Sequence, residues 1–461
     1  MRIEFVNHSS FVIEAVGVRL LADPWIEGRV FNDGWELLAP TAMRYEDFAR
    51  ITHIWFSHEH PDHFFPPNLK KIAPEHRAEI VVLYQATVDR KVVAFCRELG
   101  FRDVVELEPG KALELAPGFS VLNRPLGTQW AGDSWLFVKT PSGTVLNIND
   151  CGVGKAEAER IAAEVGPVDL LATQFSYAAW QGNPEATERR RANAREVIDD
   201  VLEQVDVLAP RHVLPFASFV WFSAEDNFYL NRDMNKIRDV RDLLERRTAA
   251  QPVVLYPGDH WTLGEAHDSE KAIKRWEACV AEIGDPERRP VVRRAPVDPA
   301  ELVALSQGFR ARLLGVSSPI LVRLYLAYDS YRNERAFGVG RWRGFARVAA
   351  GFVRPVRVYC TDLGAAFSFS LAGALEPAGG ADADVHLTSA ALAFVFRFPW
   401  GGETLQINGC FRESPKGESA PPWSYPNRLF LYTRLARRVD LGYRLTWRRI
   451  VRALGRRLGG R

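Results

Sequence analysis

Seven residues, Ser57-His58-Glu59-His60-Pro61-Asp62-His63, follow directly on Ile51-Thr52-His53-Ile54-Trp55-Phe56, a β-branched and aromatic run that reads as a strand. Residues 58, 60 and 62 converge from a tight turn, and His63 projects to the other side. The chain has 10 histidines in 461 residues, and three of them fall in this turn, so chance clustering of exposed polar residues is a poor account of it. Imidazole nitrogen and carboxylate oxygen together suit zinc, iron or manganese. His58, His60, Asp62 and His63 are therefore candidate metal ligands. Asp62 is also a catalytic candidate, placed to orient or deprotonate a bound water.

The surrounding sequence reads as a layered α/β body with helices outside. Strands are expected near 3–6, 11–14, 18–23, 79–84, 119–123, 134–139, 144–149, 168–173 and 252–256. Helices are expected near 67–74, 87–99, 155–164, 185–205, 233–249 and 267–283. Proline and charge without apolar periodicity mark a break from Gly284-Asp285-Pro286 through Pro290 and Pro296. We expect a catalytic domain over 1–285, a linker over 286–298 and a smaller α+β domain over 299–461. The last would hold helices near 299–314 and 319–330, then strands at 356–359, 367–370, 393–398 and 404–408. Met1-Arg2-Ile3-Glu4-Phe5 is already strand-like, without signal-peptide character. No apolar run approaches the about 20 residues of a membrane span. The five cysteines (Cys96, Cys151, Cys279, Cys360, Cys410) are scattered and form no CxxC pair. That argues against a disulfide framework or a local cysteine-ligated cluster and leads us to expect a reducing, cytoplasmic setting.

The HxHxDH pattern after a strand is the signature of the metallo-β-lactamase superfamily, and the chain resembles it over roughly residues 1–265. Within that superfamily it is similar to the CMP-N-acetylneuraminate hydroxylase family and to lactonase-like and phospholipase D-like members. Besides 54–63, the matching stretches are Asp23-Pro24-Trp25-Ile26-Glu27-Gly28, Gly34-Trp35-Glu36-Leu37-Leu38, Leu69-Lys70-Lys71, Asp133-Ser134-Trp135, Val145-Leu146-Asn147 with Asp150-Cys151, Leu214-Pro215-Phe216-Ala217-Ser218-Phe219, Asn227-Phe228-Tyr229 and Pro257-Gly258. The resemblance implies an αββα sandwich with a metal-bridging carboxylate at Asp150; the other reading of Asp150 is a helix cap ahead of residue 155. Two ligands the superfamily usually has are missing. No histidine lies between His76 and His212, and Gln129 stands near the place of the third imidazole, where it would offer a carbonyl oxygen. Phe216 occupies the place of the last one; His212 and His260, nearby in sequence, are expected to support a ligand or touch substrate. His8 lies near the metal pocket in the lactonase-like group and is a second catalytic candidate, or else a turn residue. Asp23 is expected to orient a ligand histidine. Tyr177 follows a strand, either in a pocket loop or in aromatic packing.

Resemblance to the hydroxylases further implies dinuclear iron, O2 and electrons delivered through a Rieske centre, which needs paired cysteine and histidine ligands. The chain contains no Cys-x-His pair, so either a separate electron-donor protein serves it or the reaction is not an oxygenation. The leading expectation is an iron-dependent, monooxygenase-like oxidoreductase. Its rivals are a zinc- or manganese-dependent hydrolase of a phosphoester, lactone or amide, and a binding protein with a degraded site. The substrate would be a small molecule, with Arg189-Arg190-Arg191 either holding an anionic group or forming a solvated helix face. The tail from Leu435 to Leu458 carries apolar residues at helical spacing among arginines. It reads as a basic helix for an acidic partner or membrane surface, or as a helix packed on the second domain.

Overall fold

Two seven-stranded sheets build the first body. One runs in the order β17 (His260–Thr262), β1 (Arg2–Asn7), β2 (Ser10–Ala15), β3 (Val18–Ala22), β6 (His53–Phe56), β7 (Val81–Gln85), β8 (Asp103–Leu107). The other runs β16 (Gln251–Pro252), β14 (His212–Phe216), β13 (Leu170–Gln174), β12 (Gly143–Asn149), β11 (Ser134–Thr140), β10 (Phe119–Pro125), β9 (Leu113–Ala116). The structure, a computed structural model, describes residues 1–126, 132–315, 320, 322, 355–414 and 428–440. Gln129, most of the helix expected at 319–330, and the tail beyond residue 440 lie outside the described residues.

Strand alternation sets which side chain faces which layer. Trp55 points inward with Phe5, Phe11, Leu20 and Leu83 to meet Trp135, Val145 and Leu171 of the facing sheet in one buried cluster. Its neighbours Ile54 and Phe56 point outward and pack beneath Leu69, Val92 and Cys96 of the helices Pro66–Lys71 and Lys91–Glu98. The second sheet is covered by Lys155–Val165, Thr187–Leu208 and Ile237–Arg247, whose Ile161, Val205 and Leu244 join the central cluster. This is an αββα sandwich.

A small sheet of β4 (Arg29–Val30), β5 (Trp35–Leu37) and β15 (Val220–Phe222) flanks the sandwich. Between β4 and β5 the residues Phe31, Asn32 and Asp33 have φ of 52°, 55° and 56°. Left-handed backbone at non-glycine residues costs of the order of 1–3 kcal/mol each and persists only where the surroundings hold it. Here they do. The Asn408 amide donates to the Phe31 carbonyl at 2.9 Å, the Arg294 guanidinium to that of Asn32 at 3.3 Å, and the Ser223 hydroxyl to that of Asp33 at 3.1 Å.

The C-terminal part has its own sheet and core. β18 (Val356–Cys360), β19 (Ala365–Ser370), β20 (Ala374–Ala378), β21 (Val385–Leu387) and β22 (Arg412–Glu413) pair in the order β20-β19-β18-β21-β22. Phe309, Phe369, Phe396 and Tyr432 pack with them. Two expected strands are helices instead: Ser389–Arg397 and Gly401–Asn408. The run 393–398 alternates like a strand, but Ala391, Leu392, Ala393, Val395 and Phe396 are all buried, and a helix covered on most sides has no amphipathic period to read. The Thr388 side chain accepts from the Ala391 amide and starts that helix. The second stops at Gly409, at φ 67°. A Cβ at Gly402 would meet Thr433, so the residue's smallness lets the helix Arg428–Asp440 approach. That helix buries Leu429, Phe430, Tyr432, Leu435 and Ala436, so the described start of the basic tail is packed inward.

Residues 286–298 lie along the first body. The Arg289 guanidinium donates to the carbonyls of Leu37 and Leu38, and the Val292 amide to Ser223 at 2.7 Å. Beyond them, Asn227 Nδ2 donates to the Asn408 carbonyl at 2.6 Å and Asn183 Nδ2 to that of Glu413 at 2.9 Å. No described helix is long and apolar enough to cross a membrane.

Candidate metal centre

Four chain segments bring donors together at one edge of the sandwich. The turn after β6 carries His58, His60, Asp62 and His63, and the β1–β2 turn carries His8. Asp133 stands just before β11, and Asp150 just after β12. Their ligand atoms form three triples, each within 4.8 Å: His8, Asp62, His63; His58, His60, Asp133; and His58, His63, Asp150. Asp150 is the donor set's hinge, its Oδ2 3.4 Å from His63 Nε2 and 3.8 Å from His58 Nε2.

The backbone bends where the donors need it. His8, Asp23 and Asn149 have φ of 34°, 41° and 55°. The left-handed turn at Asn149 lets β12 end with Asp150 aimed across the sheets. It also turns the Asn149 amide onto Asp23 Oδ2 at 2.5 Å. Asp23 further accepts from the Ser57 amide and hydroxyl, both at 2.8 Å, and faces His63 Nδ1 at 3.0 Å. An imidazole held at Nδ1 by a buried carboxylate presents Nε2 to a metal. His60 shows the reverse. Its Nδ1 lies 2.9 Å from His58 Nε2, and its Nε2 lies 3.7 Å from Glu403 Oε1, a carboxylate from the C-terminal part. Arg437 bridges Glu403 and Glu59, the residue between the two histidines of the motif.

The site passes a test of metal fit on its own atoms. Asp62 Oδ1, His63 Nε2 and Asp150 Oδ1 are buried and have no hydrogen-bond partner. Each such atom costs about 1–3 kcal/mol, and three of them around His63 make sense where cations satisfy them. The charge pattern agrees in another way, with protons on His63 and His60 standing where the carboxylates call for positive charge. Burial holds His8 and His58 below the usual imidazole value, hence neutral and able to ligate. For His63 burial opposes charge, but Asp62, Asp150 and Asp23 outweigh it and raise the imidazole well above its ordinary value. Burial likewise opposes charge on Asp62 and Asp150, and the facing histidines outweigh it to hold both carboxyls low. Burial also opposes charge on His60, and Glu403 overcomes it, pushing the ring up to about 9. Burial and neighbouring Asp150 raise Asp133. The Cys151 thiol, buried beside these acids, is pushed well up and stays protonated.

Asp133 is the residue sequence reasoning missed. It belongs to a stretch that matches the family, yet the search for a third imidazole passed over a carboxylate. Glu403 was missed too, 343 residues past His60 with no motif to link them. Three candidates lie elsewhere. His212 starts β14, at the end of that strand remote from the centre, with its ring against Trp261 and Nδ1 3.3 Å from the Asp169 carbonyl. His260 is an exposed strand residue paired with Glu4. Tyr177 is buried in a second aromatic layer with Trp25 and Trp35, its hydroxyl on the Leu230 carbonyl. Phe216 packs on Phe11 in the core. Arg190 is wholly buried on Asp233 at 2.8 Å, which removes it from any anion-binding role.

Residues 2–184 match the model of the beta-lactamase superfamily domain. A UPF0173 metal-dependent hydrolase of Pyrobaculum neutrophilum is 31% identical over 190 residues, 40% of this chain and 76% of that protein. The chain belongs to the metallo-β-lactamase superfamily. Within it, the cytidine monophosphate-N-acetylneuraminic acid hydroxylase of Macaca mulatta is 24% identical over 263 residues, 53% of this chain and 42% of that one. The chain thus spans less than half the length of this hydroxylase. A solved structure, CmlA, a diiron beta-hydroxylase from Streptomyces venezuelae, aligns at 20% identity and TM-score 0.41, covering 57% of this chain and 54% of that one.

Proposed function

We propose that this metal-dependent superfamily member is a dinuclear iron oxygenase that hydroxylates a small molecule with O2. The observation that carries the reading is Asp133. It stands with His58 and His60 in one triple of ligand atoms, and with Asp62 and Asp150 it brings three carboxylates to the cluster. Hard anionic oxygen donors favour iron or manganese over zinc, and their charge stabilises the higher oxidation state of a redox metal. Two irons held there would supply the reduction of O2.

The chain's own residues have definite tasks in that reading. Asp23, Ser57 and Asn149 fix the His63 ring, and Glu403 fixes the His60 ring. His8, neutral and 3.5 Å from Asp62 through Nε2, completes the triple with Asp62 and His63 and stands there as a neutral base. Electrons would come from a donor outside these 461 residues.

The test is anaerobic loading with ferrous iron, elemental analysis, and O2 uptake under a chemical reductant. Two irons per chain with O2 consumption are expected, and His58→Ala or Asp62→Ala should lose both while keeping the far-UV spectrum. The second reading, a zinc or manganese hydrolase, draws on the archaeal hydrolase relative. Stoichiometric zinc with ester, lactone or phosphodiester cleavage, and no O2 uptake by the iron form, would replace the first reading with it.

A further inference from the structure

A cavity of about 630 Å³ opens where the C-terminal part meets the metal turn, and His60 is in its wall. Six aromatic rings line it: Phe31, Phe64, Phe65 and Phe95 from the sandwich, Phe394 and Trp400 from beyond residue 390. The His60 ring lies 6.0 Å from that of Phe31 and has its other edge on the donor cluster. The wall is deliberately held, since Phe31, Asn32 and Asp33 are the left-handed run whose three carbonyls are tied by Asn408, Arg294 and Ser223. Those ties fix the position of the Phe31 ring in the wall.

Charge decides what this cavity would take. Its basic side chains are Arg29, Lys91, Arg437 and His60, and each is already paired, His60 with Glu403 at 3.7 Å. Arg29 holds Glu36 at 3.0 Å, Lys91 holds Asp440 at 2.7 Å, and Arg437 holds Glu59 and Glu403. Asp33, Glu59 and Glu403 are the acids of the same lining. Among the described residues, then, no cation is left over for a phosphate or carboxylate. Concave, mostly apolar cavities of this size hold ligands by burying their surface.

We infer that this cavity is the substrate pocket of the metal centre and that its ligand is an uncharged aromatic or aliphatic molecule, not a nucleotide or other anion. This rests on the oxygenase reading for the reaction, not for the binding. The probe is N-phenyl-1-naphthylamine, an uncharged fluorophore, titrated into the full chain with and without iron. Saturable binding is expected, displaced by 1-naphthol and not by cytidine monophosphate at the same concentration. Trp400→Ala, at a residue 41% exposed and so harmless to folding, should weaken the probe at least tenfold, and Ile407→Trp should block it. Displacement by the nucleotide, or unchanged affinity in Trp400→Ala, overturns the proposal. Iron stoichiometry is read on the same samples. Iron bound without probe binding removes the pocket and leaves the oxygenase reading. Probe binding without iron does the opposite.

Discussion

Asp133 and Glu403 show how much chemistry rests on single side chains that no motif announces. If Asp133 tilts the centre towards iron, Asp133→His should restore an imidazole-rich set and raise the zinc-to-iron ratio at least tenfold, measured by competitive loading and elemental analysis. Glu403→Gln removes the carboxylate behind His60 while keeping its shape. Losing such a partner weakens metal affinity about 10–100-fold, and a chelator titration should show a loss in that range with no fall in melting temperature. The HxHxDH donors were legible because they share one turn and their spacing carries the chemistry. Asp133 is legible only as part of a matching stretch, because a lone Asp ahead of a strand carries no ligand spacing of its own. His212 and His260 misled for a physical reason: proximity to a strand end in sequence does not say which end of the sheet that is.

At the scale of elements, regular alternation made the sandwich readable, and β6, β11 and β12 fall within about two residues of expectation, the usual slack of element boundaries. The C-terminal helices were misread because burial on most faces erased their period. The helix Thr187–Leu208 shows the opposite lesson. Its arginine run looks like a solvated or ligand-binding face, yet Arg190 is anchored inside on Asp233, with further bonds to the Pro184 carbonyl and the Thr187 hydroxyl. Breaking a buried pair by removing one partner costs about 3–5 kcal/mol, so Asp233→Asn should lower stability by about that much in urea unfolding. Burial alone would raise the Asp233 carboxyl, but Arg190 outweighs it and holds it below the ordinary value. A carboxyl lowered on folding stabilises at pH above its unfolded value, about 3.9, and loses that contribution as pH falls through the folded one. The wild-type advantage over Asp233→Asn should therefore persist to about pH 5 and shrink below about pH 4.

At the scale of the whole molecule, the two cores are joined by hydrogen bonds from side-chain amides that span the chain. Asn408 donates to Phe31 and accepts through its carbonyl from Asn227, while Asn183 reaches Glu413. These links predict one cooperative thermal transition for the full chain, with coincident loss of near- and far-UV signals. Asn408→Ala should split or broaden it, because it orphans a carbonyl of the strained run. None of this pairing was legible in sequence, since contacts across hundreds of residues leave no local pattern.

The bond from Arg437 to Glu59 has a further meaning for how the molecule is made. During synthesis the amino-terminal half emerges and folds first, so the imidazoles of the metal turn are in place while the residues that brace them are still untranslated. For that interval the donor cluster, His8, Asp133 and Asp150 included, lacks the bracing of Glu403 and Arg437. The brace on His60 is thus a late addition to the cluster, complete only once the helix Arg428–Asp440 has docked.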